Sequence, residues 1–350
     1  MIKSYKFIET THSKLHKNVI AFFDRIENET GVYSSSFFDK DFYNKIVKHH
    51  PNILEEPLKK IHNELRTWLQ KDRTDFCEKI RMSNDIKKIC NREVVPTLLN
   101  NTPDKLKAII KKLFYDLYVQ VLSGDNVKNE YGSLQQHFEE FKSPNKIFKC
   151  PTCGLMPSKS KTERKDDYDH YLAKDKFPFS SVNFRNLVPI CTDCNSSNVK
   201  GNRDVLKING KRKIFYPFDE THTGIKVECQ LNNDNDNVKE DDLDFSFEYT
   251  TDDNRNEEIE SWKVIFKIDD RYKKRSKGKA QSWYQHYWQF ISKPKYKGLD
   301  INLKKELYKD FCLTDPDIEF IKLPVIKAVE KSSFAKALLE SKLYSMEFNH

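Results

Sequence analysis

Two Cys-x-x-Cys pairs, Cys150-Pro151-Thr152-Cys153 and Cys191-Thr192-Asp193-Cys194, constrain the fold of this 350-residue chain more than any other feature. Four thiolates brought together surround one tetrahedral zinc and close its coordination shell, so such an ion is structural and leaves no open position for chemistry. It pins two chain segments and contributes folding free energy to a stretch too small to bury much core. A thioredoxin-like redox motif needs one such pair, not two. The other cysteines, Cys77, Cys90, Cys229 and Cys312, are scattered. Paired plus scattered cysteines point to metal binding in a reducing compartment rather than to a disulfide framework. The scattered four are expected as buried small hydrophobes.

The charge is concentrated in the same stretch. Residues 146–215 hold 15 Lys and Arg against 7 Asp and Glu, a net of +8, which is the net charge of the whole chain; the rest is balanced. A local positive field raises encounter rates with phosphate backbones and adds sequence-independent affinity, although a solvated basic surface without a ligand has the same composition. No stretch approaches the roughly 18 consecutive apolar residues of a spanning helix, and the N-terminus lacks an apolar signal region, so a cytoplasmic protein with no membrane partner is expected.

Residues 1–145 read as mainly helical. Leu58, Ile61, Leu65, Trp68 and Leu69 recur at helical spacing, as do Leu106, Ile109, Ile110, Leu113, Phe114 and Leu117. The second stripe has a start signal in Thr102 as N-cap with Pro103 at the first helical position, and Gly124 marks an exit. Ser133 followed by Gln136 is a capping-box signal for a helix ending near Phe141. After the cysteines the period changes to two. Leu243, Phe245, Phe247 and Tyr249, and then Trp262, Val264, Phe266 and Ile268, predict two strands joined by an acidic loop. Residues 232–242, rich in Asn and Asp, predict a loop. The run Arg271 to Lys279, followed by Trp283, Tyr284, Tyr287 and Trp288, can contact a nucleic-acid strand or form a helix face for a core, and the helical spacing favours the core. Further helices are expected over about 302–311 and 332–344. His222 and His286 have no partner signature.

Between and just after the cysteine pairs lie Asp169-His170, Asn186 in an Arg-Asn-Leu context, and Asn195 directly after the last cysteine, followed by Lys200-Gly201. These positions, in this order, resemble the HNH endonucleases in the variant whose third position is Asn. The resemblance covers about 60 residues of the chain. It implies a ββα-metal fold, with a hairpin carrying the Asp-His pair and a following helix carrying the last Asn. It further implies hydrolysis of phosphodiester bonds, in DNA rather than RNA because the family mostly cuts DNA. His170 is then the general base, since an imidazole titrates near neutrality. Asp169 and Asn195 hold one Mg²⁺, or Mn²⁺, through oxygen atoms, in keeping with the ligand preference of hard cations. Asp167 is an alternative to Asp169, and the sequence leaves that choice open. Asn186 orients His170 or ties the hairpin together. Arg185, Lys200 and Arg203 flank the site as candidate phosphate contacts. The stretch is also similar to HNH subunits of bacterial antiviral systems such as Septu, which act with an ATPase partner.

The reading is an α+β protein in three successive parts: a mainly helical region over 1–145, a zinc-stapled nuclease module over 146–215, and a mixed region over 216–350 with a small sheet and helices. The second resemblance implies that the first or the last of these docks the partner. Its rivals are a non-catalytic nucleic-acid-binding module, a subunit whose zinc serves only assembly, and a stand-alone restriction-type nuclease.

Overall fold

Helical periodicity in the first 145 residues becomes eight helices in the computed structural model, which describes the chain except for residues 146–148, 157–167, 208–209, 211, 234–242, 316–318, 334, 338 and 340–350. They are α1 (Ser13–Ile26), α2 (Lys40–Lys45), α3 (Glu56–Leu65), α4 (Gln70–Met82), α5 (Ile86–Cys90), α6 (Asp104–Asp116), α7 (Asp125–Tyr131) and α8 (Leu134–Asn145). Each long helix buries one stripe. In α6, Leu106, Ile110, Leu113 and Phe114 are buried while Lys111, Lys112 and Tyr115 face out, the i, i+3, i+4 pattern of a helix with one apolar face. Thr102 does not cap α6. Its hydroxyl donates to the Leu98 carbonyl at 3.4 Å, and the helix starts at Asp104 behind Pro103. The capping box of α8 forms as expected: the Ser133 N–H donates to Gln136 Oε1 at 2.7 Å and the Gln136 N–H to Ser133 Oγ at 3.2 Å. Beyond α6 the backbone widens into one π-helical turn, Leu117–Val121.

A short antiparallel hairpin follows, β1 (Tyr168–His170) with β2 (Leu187–Pro189), and then the single-turn helix α9 (Thr192–Asn195). Its apolar residues Tyr168, Phe179, Val182, Phe184 and Leu187 join one core with residues of α1, α3, α4 and α6. Phe114 and Phe179 meet edge to face at 5.4 Å. The expectation of three successive parts thus meets two compact units. One comprises Ser4–Ile147 and Lys159–Thr221, so the helices and the hairpin belong together. The other comprises Met1–Lys3, Phe148–Ser158 and His222–His350.

In the latter unit, β3 (Lys226–Leu231) pairs antiparallel with β4 (Phe245–Thr250), from Lys226 opposite Thr250 to Leu231 opposite Phe245. The strand expected over 243–249 is therefore present, but its partner lies upstream. The segment expected as a second strand is helical instead, spanning the end of α10 (Asn256–Phe266) and the start of α11 (Ile268–Lys277). The buried residues Ile259, Trp262, Ile265 and Phe266 follow a helical repeat, and Glu257 and Glu258 favour the first turn of α10. Next come α12 (Ala280–Ile291), α13 (Ile301–Thr314) and α14 (Lys322–Lys331). Trp283, Tyr284 and Tyr287 of α12 are buried with Phe290, so these aromatics form core. Part of the expected Asn-rich loop, 234–242, and the end of the last expected helix, 340–344, lie outside the described residues. Among the described residues the chain is mainly helical with two two-stranded sheets, giving an α+β class. Among the described residues no helix is long and apolar enough to cross a membrane.

Candidate active site and metal centre

The hairpin register sets Asp169 opposite Val188 and His170 opposite Leu187. The connection between the strands is closed by Asn186, which is fully buried. Its Oδ1 accepts from the Leu172 N–H at 2.7 Å, and its Nδ2 donates to the Leu172 carbonyl at 3.0 Å and to the Ser180 carbonyl and hydroxyl at 3.2 Å. Both ends of the amide are satisfied by the loop. Of the two roles expected for Asn186, the structure gives it the tying of the hairpin.

His170 is half-buried, and its Nε2 lies 2.9 Å from the Ser181 carbonyl oxygen. A carbonyl only accepts, so Nε2 carries the proton and Nδ1 is left with the lone pair. Burial, reinforced by the nearby Lys174 ammonium, pushes the imidazole down to about 3, well below the near-neutral titration expected for it, which weakens it as a base. The ring is framed by Tyr118 of the π-helical turn, edge to face at 4.3 Å, and the Lys174 ammonium sits over the Tyr118 ring at 4.6 Å. Ser181 is itself fixed, its hydroxyl donating to the Phe114 carbonyl of α6 at 2.9 Å. The imidazole is thus oriented through the helical region as well as through its own strand.

Asp169 is 3% exposed. Its Oδ1 accepts from the Lys200 ammonium at 2.8 Å, and the same ammonium donates to the His170 carbonyl at 2.8 Å. Oδ2 is buried with no hydrogen-bond partner among the described residues. Burial raises the carboxyl above its usual range, against the opposing pull of Lys200. The expectation for Lys200 as a phosphate contact is corrected here: it has no exposed surface, and its charge is used on Asp169 and the strand backbone. Gly201 makes that arrangement possible. It has φ +48°, and a Cβ there would stand 2.9 Å from the Ser197 Cα, so only glycine turns the chain at this point.

Asn195 ends α9 and is half-buried, with its N–H on the Cys191 carbonyl at 3.1 Å. Arg203 is half-buried and donates to the Asn198 carbonyl at 3.3 Å. Arg185 stacks its guanidinium on Phe7 at 3.9 Å and donates to the Tyr216 hydroxyl at 3.2 Å. It lines a groove of about 620 Å³ together with His16, Arg81 and Tyr216, a lining that does not include Asp169 or His170. Asp167 lies outside the described residues.

The four paired cysteines are buried, and their Sγ atoms all lie within 4.8 Å of one another. Tetrahedral zinc–thiolate bonds of about 2.3 Å require sulfur–sulfur separations of about 3.8 Å, so the set fits a zinc ion. Each pair is shaped by its turn. The Gly154 N–H donates to the Cys150 carbonyl at 2.7 Å with Gly154 at φ +63°, and the Lys200 N–H meets the Cys194 carbonyl at 3.3 Å. Tyr272 and Trp262 donate to the carbonyls of Cys153 and Thr152 at 2.9 and 2.7 Å. Of the scattered cysteines, Cys77, Cys90 and Cys229 are buried and Cys312 is half-buried; burial raises all four thiols, which makes them poor nucleophiles.

Sequence reasoning missed Ser181, Tyr118 and Lys174. Only Lys174, four residues after His170, carried a local signal, since i and i+4 fall near one another in a turn. No protein-family model, no curated protein and no solved structure matches the chain.

Proposed function

We propose that the protein is a metal-dependent endonuclease of the HNH type that hydrolyses phosphodiester bonds in DNA. The observation that supports this reading most is the state of His170. Its Nε2–H faces the Ser181 carbonyl, which fixes the tautomer, and Nδ1 has no hydrogen-bond partner among the described residues, so its lone pair is placed to accept a proton from water. The dipeptide Asp169-His170 on an antiparallel hairpin, with Asn195 on the helix that follows, agrees with the arrangement the resemblance implies.

Asp169, through its buried and unpartnered Oδ2, and Asn195 would hold a Mg²⁺ or Mn²⁺ ion. When bound, such an ion supplies positive charge to the reacting phosphate and its leaving oxygen. Ser181 holds the imidazole in one tautomer and Tyr118 walls the ring. Asn186 keeps the loop between the strands closed. The four cysteines would bind a separate, structural zinc.

One observation favours a second reading, a nucleic-acid-binding module that does not cut: the Lys200 ammonium already neutralises Oδ1 of Asp169. The two part in a single assay. Supercoiled plasmid is incubated with the zinc-loaded protein, with Mg²⁺, with Mn²⁺ or with neither. The nuclease reading expects nicked or linear product only where one of these ions is added; plasmid that is bound but intact under all conditions contradicts it. From the looser resemblance we also propose an antiviral role beside an ATPase subunit. It requires co-purification with such a subunit from the native host, and purification of the chain alone would contradict it.

A further inference from the structure

We infer that Tyr115, Tyr118 and Lys174 form a platform beside His170 that takes an unpaired nucleobase and its adjoining phosphate, making single-stranded DNA the preferred substrate. The inference rests on the nuclease reading for the identity of the neighbouring site, but its own observations are independent of that reading. Tyr115 is an aromatic side chain with 50% of its surface exposed, on the outer face of α6 about one turn before Tyr118. The Lys174 ammonium lies 5.3 Å from the Tyr115 ring centre and 4.6 Å from that of Tyr118, and Tyr118 in turn touches the His170 ring. Val119, 43% exposed, widens the apolar surface.

The Lys174 ammonium lies over one face of the half-exposed Tyr115 ring, so a base stacks on the other face and its phosphate meets the charge, the combination that binds single strands. A duplex keeps its base faces stacked on one another, so it cannot use the ring in this way. Charge continues along the same helix face: Lys107 and Lys111 precede Tyr115 at four-residue intervals, and neither makes an ion pair among the described residues. Lys112 is excluded from this strip, because it pairs with Asp116. The π-helical turn Leu117–Val121 brings Tyr118 against His170, and such turns recur at functional sites.

The test measures fluorescence anisotropy of a labelled single-stranded DNA oligonucleotide and of its duplex, with zinc-loaded protein and no added Mg²⁺. Wild type is expected to bind the single strand more tightly than the duplex. Tyr115→Ala is expected to lose about tenfold in single-strand affinity with duplex affinity unchanged, while Tyr115→Phe, which keeps the ring, binds as wild type does. The inference is overturned if Tyr115→Ala binds the single strand like wild type, if both forms weaken equally, or if wild type binds neither. Adding Mg²⁺ to the same samples separates the two claims. The expected binding pattern without cleavage leaves the platform standing and removes the nuclease, whereas cleavage with Tyr115→Ala unaffected in binding does the reverse.

Discussion

Lys200 has no exposed surface, and its ammonium lies between Asp169 and the His170 carbonyl. A buried charge that loses its partner is costly, because the remaining charge has neither water nor a counter-ion. Lys200→Ala should therefore lower unfolding free energy by about 3–5 kcal/mol in denaturant titration without added divalent ions. An unchanged midpoint would show that Asp169 is not the charged partner described here. A second prediction concerns His16, half-buried against Asn84 Oδ1 at 2.8 Å and pushed down to about 4 by burial. Its folded value lies below its unfolded one, so the unfolded chain binds the proton first. The stability this neutral ring contributes is present above about pH 6.5 and is lost as pH falls towards 4. The melting temperature should fall over that window, and His16→Gln should flatten the fall; an equally steep profile in the variant would contradict the assignment.

At the scale of elements, the hairpin depends on one amide. Asn186→Ala leaves the Leu172 N–H and carbonyl, both buried, without their partner, at about 1–3 kcal/mol for each orphaned group. Amide exchange at Leu172 and unfolding in urea should both report the loss; full protection at Leu172 in the variant would mean that the strands close without Asn186. The tie was one of two roles the resemblance implied for Asn186, and its hydrogen bonds to Leu172 and Ser180 select it. The capping box at Ser133, the α6 stripe and Leu58, Ile61 and Leu65 of α3 were legible from local spacing. Trp68 and Leu69, read as part of the same stripe, lie beyond the end of α3, and Leu69 is exposed. The misreading came at residues 262–268, where four apolar residues alternate in a window too short to separate a period of two from one of 3.6. The burial of Ile259 and Ile265 resolves it. The strand β3 carries a strand alternation in Val227, Cys229 and Leu231 that was not read, since the run is short and its partner lies beyond residues 232–244.

On the scale of the whole molecule, the cysteine pairs were legible because the spacing alone defines a ligand set, and their thiols do converge. What surrounds His170 was not. Tyr118 and Ser181 come to it through tertiary packing of α6 and the hairpin loop, and no local pattern encodes that approach. For the same reason the boundary drawn at residue 145 separated helices and hairpin that share one core. Zinc content offers a prediction at this scale. Elemental analysis should find one zinc per chain, lost in Cys153→Ser and in Cys194→Ser, with a large fall in unfolding temperature, since structural zinc contributes directly to folding. Metal-free protein that melts like the purified form would contradict a structural zinc.

The most direct test of the central claim compares single-turnover cleavage of DNA by wild type and His170→Ala at neutral pH with Mg²⁺, both proteins carrying equal zinc and binding DNA equally. Loss of the base should lower the rate about 10²–10⁴-fold without changing affinity. Equal rates would remove His170 from the chemistry and with it the proposed nuclease site.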